Sequence, residues 1–140
     1  MNILLAVDGS PYTQHMLAYV AAHESWLAPV HRYTVIHAVP KISAHAASAL
    51  SAELLAEYYR DEAEKVFAPV RAMFAGHGIT PEFVGLTGHA ADVIARHADA
   101  GRFDLLMMGS HGQGSIRNLV MGSVATQVLA GCKVPVLLVR

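Results

Sequence analysis

The sequence predicts one α/β domain, residues 1–140, built on a mostly parallel sheet. Three observations support this prediction. Short apolar runs of strand length alternate with helical patterns, as in repeated βαβ units. The chain of 140 residues has the length of a single domain. Hydrophobic residues make up 54% and charged residues 15%, which is enough apolar material for a core and excludes global disorder.

The first strand, residues 3–7, is an apolar run that ends in a turn. After it, Ser10 is in the position to cap a helix, and Pro11 suits the first helical position. Apolar residues continue at helical spacing to about residue 27, and we expect the helix to stop before Pro29.

The second strand, residues 32–39, is rich in apolar and β-branched residues and is closed by Pro40. Residues 41–50 are small or polar without a clear period, so we expect a mobile connection. A long amphipathic helix follows over about residues 51–76. Pro69 lies inside it, where a kink or a break is expected.

The third strand, residues 81–86, begins with a proline. Proline has no N–H to donate, and this loss matters least at the first position of a strand. A helix over residues 90–100 ends at Gly101, and residues 103–108 form the fourth strand. The chain closes with a helix over residues 123–130 and a fifth strand at residues 134–139.

Composition excludes several classes of function. The net charge is -1 without a basic cluster, so we expect no nucleic-acid binding. No apolar run approaches the ~20 residues of a membrane helix, and no signal-peptide pattern is present, so we expect a cytoplasmic protein without membrane insertion. Cys132 is the single cysteine and is expected to be a small buried hydrophobe. The histidines never fall two to four residues apart, which argues against a zinc site.

The strongest functional signal is the glycine-rich stretch between the fourth strand and the last helix, MGSHGQGSIRNLVMGS. Ligands of open α/β sheets bind beyond the carboxyl ends of the strands, and a helix N-terminus there attracts anions. The residues alone leave two alternatives, a phosphate site or an ordinary loop with Ser123 as N-cap. The stretch is neither a P-loop, because it has no lysine, nor a standard dinucleotide-binding loop.

This stretch resembles the ATP-binding branch of the universal stress proteins. Their pattern is Gly, two residues, Gly, nine residues, Gly, and then Ser or Thr, and it is matched at Gly109, Gly112, Gly122 and Ser123. Asp8 after the first strand matches as well. The other matching segments are IHAV, DLLMMG and VPVLLV, so the resemblance spans essentially the whole chain.

The resemblance implies a Rossmann-like, adenine nucleotide alpha hydrolase-like fold. Its open twisted sheet has five parallel strands in the order 3-2-1-4-5, with helices on both faces. ATP, or else AMP or ADP, is implied in a cleft between the first and fourth strands, with Asp8 near the nucleotide. The other implied contacts, from the adenine to the phosphates, are Val7, Ala38, Val39, Met108, Gly109, His111, Gly112, Gly122, Ser123 and Val124.

Mg²⁺ or another divalent ion is implied on the phosphate oxygens, and Asp8 is the protein group that could help to hold it. Asp8 has a structural alternative, since a carboxylate after a strand can cap the next turn. Arg117 could reach a γ-phosphate or be a solvated loop residue. His37 is expected to be a structural histidine, and Gly114 only to let the loop bend.

In the implied order, the strand from Val134 to Val139 lies at a sheet edge and is apolar on both faces. We therefore expect a homodimer through it, and a tetramer stays open. The implied function is a nucleotide-dependent module of the stress response that acts through assembly and an unknown protein partner.

Catalysis is not the expected function, because hydrolysis needs a base and charge stabilisation near the γ-phosphate. The candidates for these roles are only His111, Asp8 and Arg117. A slow ATPase and a nucleotide-independent dimer of the same fold stay as alternatives. A phosphoacceptor signalling domain does not fit, because no aspartate ends the third strand and no lysine ends the fifth.

Overall fold

The sheet has five parallel strands in the order β3-β2-β1-β4-β5, which confirms the predicted topology. This computed structural model describes residues 1–114 and 118–140. The strands are β1 (Asn2–Ala6), β2 (Arg32–Val39), β3 (Glu82–Thr87), β4 (Leu105–Gly109) and β5 (Val136–Val139). The central strand β1 lies between β2 and β4, so the carboxyl ends of these three strands meet at one edge.

Helices cover both faces of the sheet. They are α1 (Pro11–Ala22), α2 (Ala44–Ser48), α3 (Ala52–Gly76), α4 (Ala90–Ala100) and α5 (Ser123–Gly131), and a 3₁₀ helix covers Glu24–Leu27. Alternate residues of β1 point to opposite faces: Leu5 packs with the buried residues of α1 and α3, and Leu4 with those of α4 and α5. The uninterrupted apolar run of β1 is therefore explained by burial on both sides.

The segment between β2 and α3 is more ordered than we expected from its composition. Residues 44–48 form α2, and the Ser43 hydroxyl accepts a hydrogen bond from the Ala46 N–H at 3.1 Å. The expectation of a mobile connection over residues 41–50 is wrong for this part, because a serine N-cap followed by alanines supports a helical turn.

The predicted end of the first helix and the alternative of a break at Pro69 also need correction. The first helix ends at Ala22, and a separate 3₁₀ helix contains Trp26, whose carbonyl oxygen accepts a hydrogen bond from the Tyr33 hydroxyl. Helix α3 runs without a break through Pro69. Buried Phe67 and Val70 on either side of the proline anchor α3 to the sheet, and this packing outweighs the lost hydrogen bond.

Strand β5 lies at one edge of the sheet and is shorter than predicted. It begins at Val136, directly after Pro135, which has no N–H to give to a ladder. All of its residues are half-buried, and β4 is its neighbour among the described residues. In the part of the chain that the structure describes, no helix is long and apolar enough to span a bilayer.

Candidate functional site

A cavity of about 800 Å³ opens where β1, β2 and β4 end. The volume is in the range of sites that hold drug-sized ligands. The cavity is lined by every residue for which the resemblance implied a nucleotide contact, namely Val7, Asp8, Ala38, Val39, Met108, Gly109, His111, Gly112, Gly122, Ser123 and Val124. The fold thus brings together four separate segments of the chain. Arg117, the other candidate for the phosphates, lies outside the described residues.

The strand ends form an apolar part of the cavity wall. Val7, Val39 and Met108 are buried. Ile94 of α4, which belongs to the same core cluster as Met108, also lines this part of the wall. His37 Nδ1 lies 2.7 Å from the Val7 carbonyl oxygen, which can only accept, so Nδ1 carries the proton. His37 is therefore a satisfied structural histidine that also lines the cavity.

Asp8 holds the turn between β1 and α1. Its Oδ1 accepts hydrogen bonds from the Ser10 N–H at 2.9 Å and from the Thr13 hydroxyl at 3.0 Å. The Thr13 hydroxyl in turn accepts a bond from the Asp8 N–H at 3.1 Å. Asp8 therefore has the turn-capping role that was the structural alternative for this residue.

The prediction that Ser10 caps α1 through its side chain is wrong. Ser10 is the N-cap residue, but its hydroxyl is buried and bonds to no described residue. The Asp8 carboxylate already accepts the Ser10 N–H, and the turn buries the Ser10 side chain. The second oxygen of Asp8, Oδ2, points toward Gly112 and accepts no hydrogen bond from the described residues.

Close approach of protein atoms explains the three motif glycines. A Cβ built on Gly109 would lie 2.7 Å from Tyr12 Cβ, and one on Gly112 would lie 2.7 Å from Asp8 Oδ2. A Cβ on Gly122 would lie 3.0 Å from the His111 Cα. All three glycines line the cavity, but the atoms that a side chain would meet first at each position are protein atoms. Gly114 has φ +71°, and a Cβ on it would meet no atom of the described residues within 4 Å, which fits its expected role in bending the loop.

His111 joins the two ends of the loop after β4. Its Nε2 donates to the Leu119 carbonyl oxygen at 2.7 Å, and its Nδ1 lies 2.8 Å from the Ser110 hydroxyl. Its ring also packs on Tyr12, with the centroids 4.9 Å apart. Because both ring nitrogens are engaged, a contact of the His111 ring with a phosphate would require one of these bonds to break.

The N-terminus of α5 faces the cavity. Gly122 is the N-cap residue, so Ser123 is the first helical residue rather than the N-cap, and no side chain of the described residues caps the helix. Gly122, Ser123 and Val124 all line the cavity. The uncapped N–H groups of this first turn, together with the helix dipole, favour a negatively charged ligand.

Sequence reasoning missed one wall of the cavity, which is a face of α3. Glu62, Lys65 and Val66 line it, at the i, i+3 and i+4 spacing of one helix face. Lys65 Nζ donates to Glu62 Oε1 at 2.7 Å, and this hydrogen bond, with the attraction of the carboxylate, raises the pKa of Lys65. The spacing was visible in the sequence, but nothing local indicated that this face would meet a strand end.

Gln113 is a further residue that the sequence did not single out. Its Nε2 donates to the Asp8 carbonyl oxygen at 3.5 Å, so the loop after β4 touches the turn after β1 across the cavity. Within residues 1–114 and 118–140, no three His, Cys, Asp or Glu side chains are grouped to hold a metal ion by themselves.

A model of the universal stress protein family matches residues 1–140. The universal stress protein Slr1230 of Synechocystis sp. is 35% identical over 143 residues, which cover 99% of this chain and 42% of that protein. The universal stress protein in QAH/OAS sulfhydrylase 3'region of Thermus aquaticus is 33% identical over 99% of this chain and 98% of its own length. The chain thus spans less than half of the first relative and nearly all of the second.

Solved structures with the same fold include the universal stress protein UspA from Lactobacillus plantarum, with a TM-score of 0.79 and 21% identity over 100% of this chain and 97% of that one. A universal stress protein family protein from Arabidopsis thaliana, with AMP bound, has a TM-score of 0.71 and 16% identity over 99% and 90% of the two chains. The universal stress protein from Archaeoglobus fulgidus in complex with dAMP has a TM-score of 0.67 and 24% identity over 100% and 98%.

Proposed function

This chain belongs to the universal stress protein family, and from that membership we propose that it is a regulatory module that binds ATP in the cavity where β1, β2 and β4 end. One observation carries the proposal: all residues that match the family's nucleotide contacts line a single cavity of about 800 Å³. The structures of similar fold from A. thaliana and A. fulgidus, which hold AMP and dAMP, support an adenine nucleotide as the ligand class.

The two ends of the cavity differ in a way that suits a nucleotide. The apolar end at Val7, Ala38 and Val39 suits the flat faces of an adenine ring. The opposite end, at Gly112 and the first turn of α5, offers backbone N–H groups and the positive end of a helix dipole to phosphates. Met108 and Gly109 also line the cavity, and the resemblance to the family assigns them to the ribose.

A divalent ion fits the donor set of this cavity. Asp8 Oδ2 is a carboxylate oxygen that accepts no hydrogen bond from the described residues, whereas Oδ1 is engaged in the turn. Mg²⁺ in proteins is usually held by one or two carboxylates together with substrate phosphates and water. Asp8 would therefore supply the protein ligand, and the ion would screen the phosphate charge.

We propose binding rather than turnover as the function of the site. His111 uses both ring nitrogens in hydrogen bonds, and Asp8 Oδ1 is committed to the turn after β1. The His111 ring cannot activate water without giving up a bond that holds the site, and the unengaged oxygen of Asp8, Oδ2, is assigned here to the ion rather than to a base. The expected output is therefore a nucleotide-dependent conformation, with any hydrolysis slow.

A homodimer through β5 is the assembly that this function would control. Strand β5 is an apolar edge strand, and pairing with a second copy would cover it. Ser110 links this strand to the cavity, because its N–H donates to the Val139 carbonyl oxygen at 2.8 Å and its own carbonyl accepts the Gly122 N–H at 2.7 Å. A cytoplasmic location, a tetramer and a protein partner stay predictions from the sequence.

The test begins with the nucleotide that copurifies with the protein. The purified protein is denatured and the supernatant is separated by ion-pair chromatography. ATP, ADP and AMP binding is then measured by calorimetry with and without Mg²⁺. We expect an adenine nucleotide at one per chain. The absence of any adenine nucleotide, together with no heat on titration, would favour the nucleotide-independent alternative.

A pair of charge variants on α5 localises the site. In Ser123→Asp a carboxylate enters the first turn, which helix electrostatics tolerate but a bound phosphate does not. We expect ATP affinity to fall at least about tenfold, because a like charge meets the phosphates at close range. Gln127→Asp adds the same charge to an exposed position one turn later and serves as the control. Equal effects of the two variants would argue against phosphates at this helix N-terminus.

Light scattering at micromolar concentration tests the dimer separately from nucleotide binding. A homodimer is expected. A monomer that still binds nucleotide would contradict the proposed control of assembly and leave the binding proposal in place.

A further inference from the structure

The charges in the cavity wall do not by themselves favour a polyphosphate. The described lining residues include two carboxylates, Asp8 and Glu62, and one ammonium group, that of Lys65. ATP brings more negative charge than AMP, so without a cation nearby the carboxylates would oppose each added phosphate. Among the described lining residues, Lys65 supplies the one positively charged Lys or Arg side chain that could offset this repulsion.

Lys65 is in the right part of the wall to meet a nucleotide. It shares a helix face with Glu62 and Val66, and a Cβ on Gly9 would lie 3.4 Å from Val66 Cγ2. This face of α3 therefore packs against the turn that carries Asp8 and opens into the same cavity. Lys65 has a flexible four-carbon stem, and its side chain is 70% exposed, so the ammonium group is able to swing.

The present partner of Lys65 is easily exchanged. Lys65 Nζ contacts Glu62 Oε1 at 2.7 Å, one turn earlier on the same helix. An exposed ion pair of this kind contributes little to stability, because solvent screens it and ordering two long side chains costs entropy. A phosphate at the cavity mouth offers Lys65 more charge and more acceptor oxygens than one carboxylate does.

We propose that Lys65 is a specificity-determining residue that exchanges Glu62 for the outer phosphates of a nucleoside polyphosphate and makes the site prefer ATP to AMP. The inference rests on the proposed function, because it assumes that the cavity binds an adenine nucleotide. Glu62 acts as the competitor: it holds the ammonium group when the cavity contains no nucleotide and lowers the gain on binding a polyphosphate.

The experiment compares ATP, ADP and AMP affinities of the wild type, Lys65→Met and Glu62→Gln by calorimetry at fixed ionic strength. Lys65→Met is expected to lower ATP affinity about tenfold and ADP affinity by less, with AMP changed less than about twofold. Glu62→Gln removes the competitor and is expected to raise ATP affinity about two- to threefold, and by less when Lys65 is absent, because only the repulsion by the carboxylate is then removed. The double variant Lys65→Met/Glu62→Gln measures this dependence.

Arg60→Met is the matched control. It removes one positive charge from the same helix, but Arg60 lines the groove between α3 and β3 rather than the nucleotide cavity. We expect its affinities for all three nucleotides to equal those of the wild type. Both substituted side chains are exposed, so thermal melts of Lys65→Met and Arg60→Met are expected to match.

The outcomes separate this inference from the function on which it rests. Equal losses in Lys65→Met and Arg60→Met, or equal losses for ATP and AMP, would overturn the role of Lys65 and leave the nucleotide site standing. Wild-type protein that binds AMP as tightly as ATP would do the same. If the wild type binds no adenine nucleotide, the proposed function itself fails and this inference fails with it.

Discussion

Two neighbouring strands, β1 and β4, end at the same cavity but continue into very different segments. The turn after β1 is short, and Asp8 closes it by local hydrogen bonds to Ser10 and Thr13. The loop after β4 is much longer and is closed by bonds across its length, from His111 to Leu119 and from Gly122 to Ser110. One wall of the cavity is therefore organised locally and the other by contacts between distant residues.

This difference indicates how the two walls respond to a ligand. Closing a longer loop costs more conformational entropy, and bonds to a ligand can offset part of that cost. A phosphate bound by the loop after β4 would add bonds to the longer segment, whereas Asp8 already closes the turn after β1. Ligand binding should therefore protect the loop after β4 far more than the turn. Three substitutions test this contrast.

The largest effect is expected at Gly109, where the two segments touch. In Gly109→Ala the new Cβ would meet Tyr12 Cβ at 2.7 Å and the His111 carbonyl oxygen at 3.1 Å, so α1 or the loop must move. We expect the free energy of unfolding to fall by about 2–3 kcal/mol, with nucleotide affinity reduced more than tenfold. Urea titration followed by circular dichroism measures the first quantity and calorimetry the second.

Gly76→Ala is the control for this substitution. Gly76 ends α3, and a Cβ there meets nothing within 4 Å, so its stability should equal or exceed that of the wild type by about 0.5 kcal/mol. If Gly109→Ala behaves like Gly76→Ala, the two segments do not pack as tightly as described.

The next largest effect is expected at Asp8, where two variants separate its role in the turn from its role as a ligand of the ion. Asp8→Ala removes both hydrogen bonds of Oδ1, and we expect a loss of about 1–2 kcal/mol of stability. Asp8→Asn keeps an oxygen acceptor for Ser10 and Thr13 but removes the charge, so most of the stability should remain. Both variants should lose the gain in ATP affinity that Mg²⁺ provides.

Chemical denaturation measures the role of Asp8 in the turn, and calorimetry with and without Mg²⁺ measures its role at the ion. Retention of the Mg²⁺ effect in Asp8→Asn would show that Asp8 serves the turn alone. Full stability of Asp8→Ala would show that the turn does not depend on its carboxylate.

The smallest effect is expected at His111. His111→Phe keeps a ring against Tyr12 but loses the bonds to Leu119 and Ser110, at a cost of about 1 kcal/mol. Hydrogen exchange should become faster over residues 110–122 and stay unchanged in the turn after β1, because only the longer segment depends on these bonds. Exchange rates equal to those of the wild type over residues 110–122 would contradict this account.

Much of the fold and of the site could be predicted from the sequence, because the signals are local. The apolar run of β1, the alternation with helical patterns and the spacing of Gly109, Gly112 and Gly122 predict where ligands bind in such a sheet. The missed features depend on competition between neighbours. Ser10 has the right residue type for a side-chain cap, but its own carbonyl oxygen accepts the Thr13 N–H at 3.0 Å, which is a bond that the hydroxyl would otherwise accept.

The sequence by itself determined the order of strands and helices along the chain, the family and, through the resemblance to that family, eleven of the residues that line the cavity. Only the tertiary structure decided which atoms require the motif glycines, which bonds occupy His111, and that the face of α3 with Lys65 forms a wall. Several of these features join residues that are far apart in the chain, as in the approach of Gly109 to Tyr12 and of Gly112 to Asp8. Their contacts exist only after α3 and the loop after β4 have packed against the ends of the strands, so no local pattern in the sequence records them.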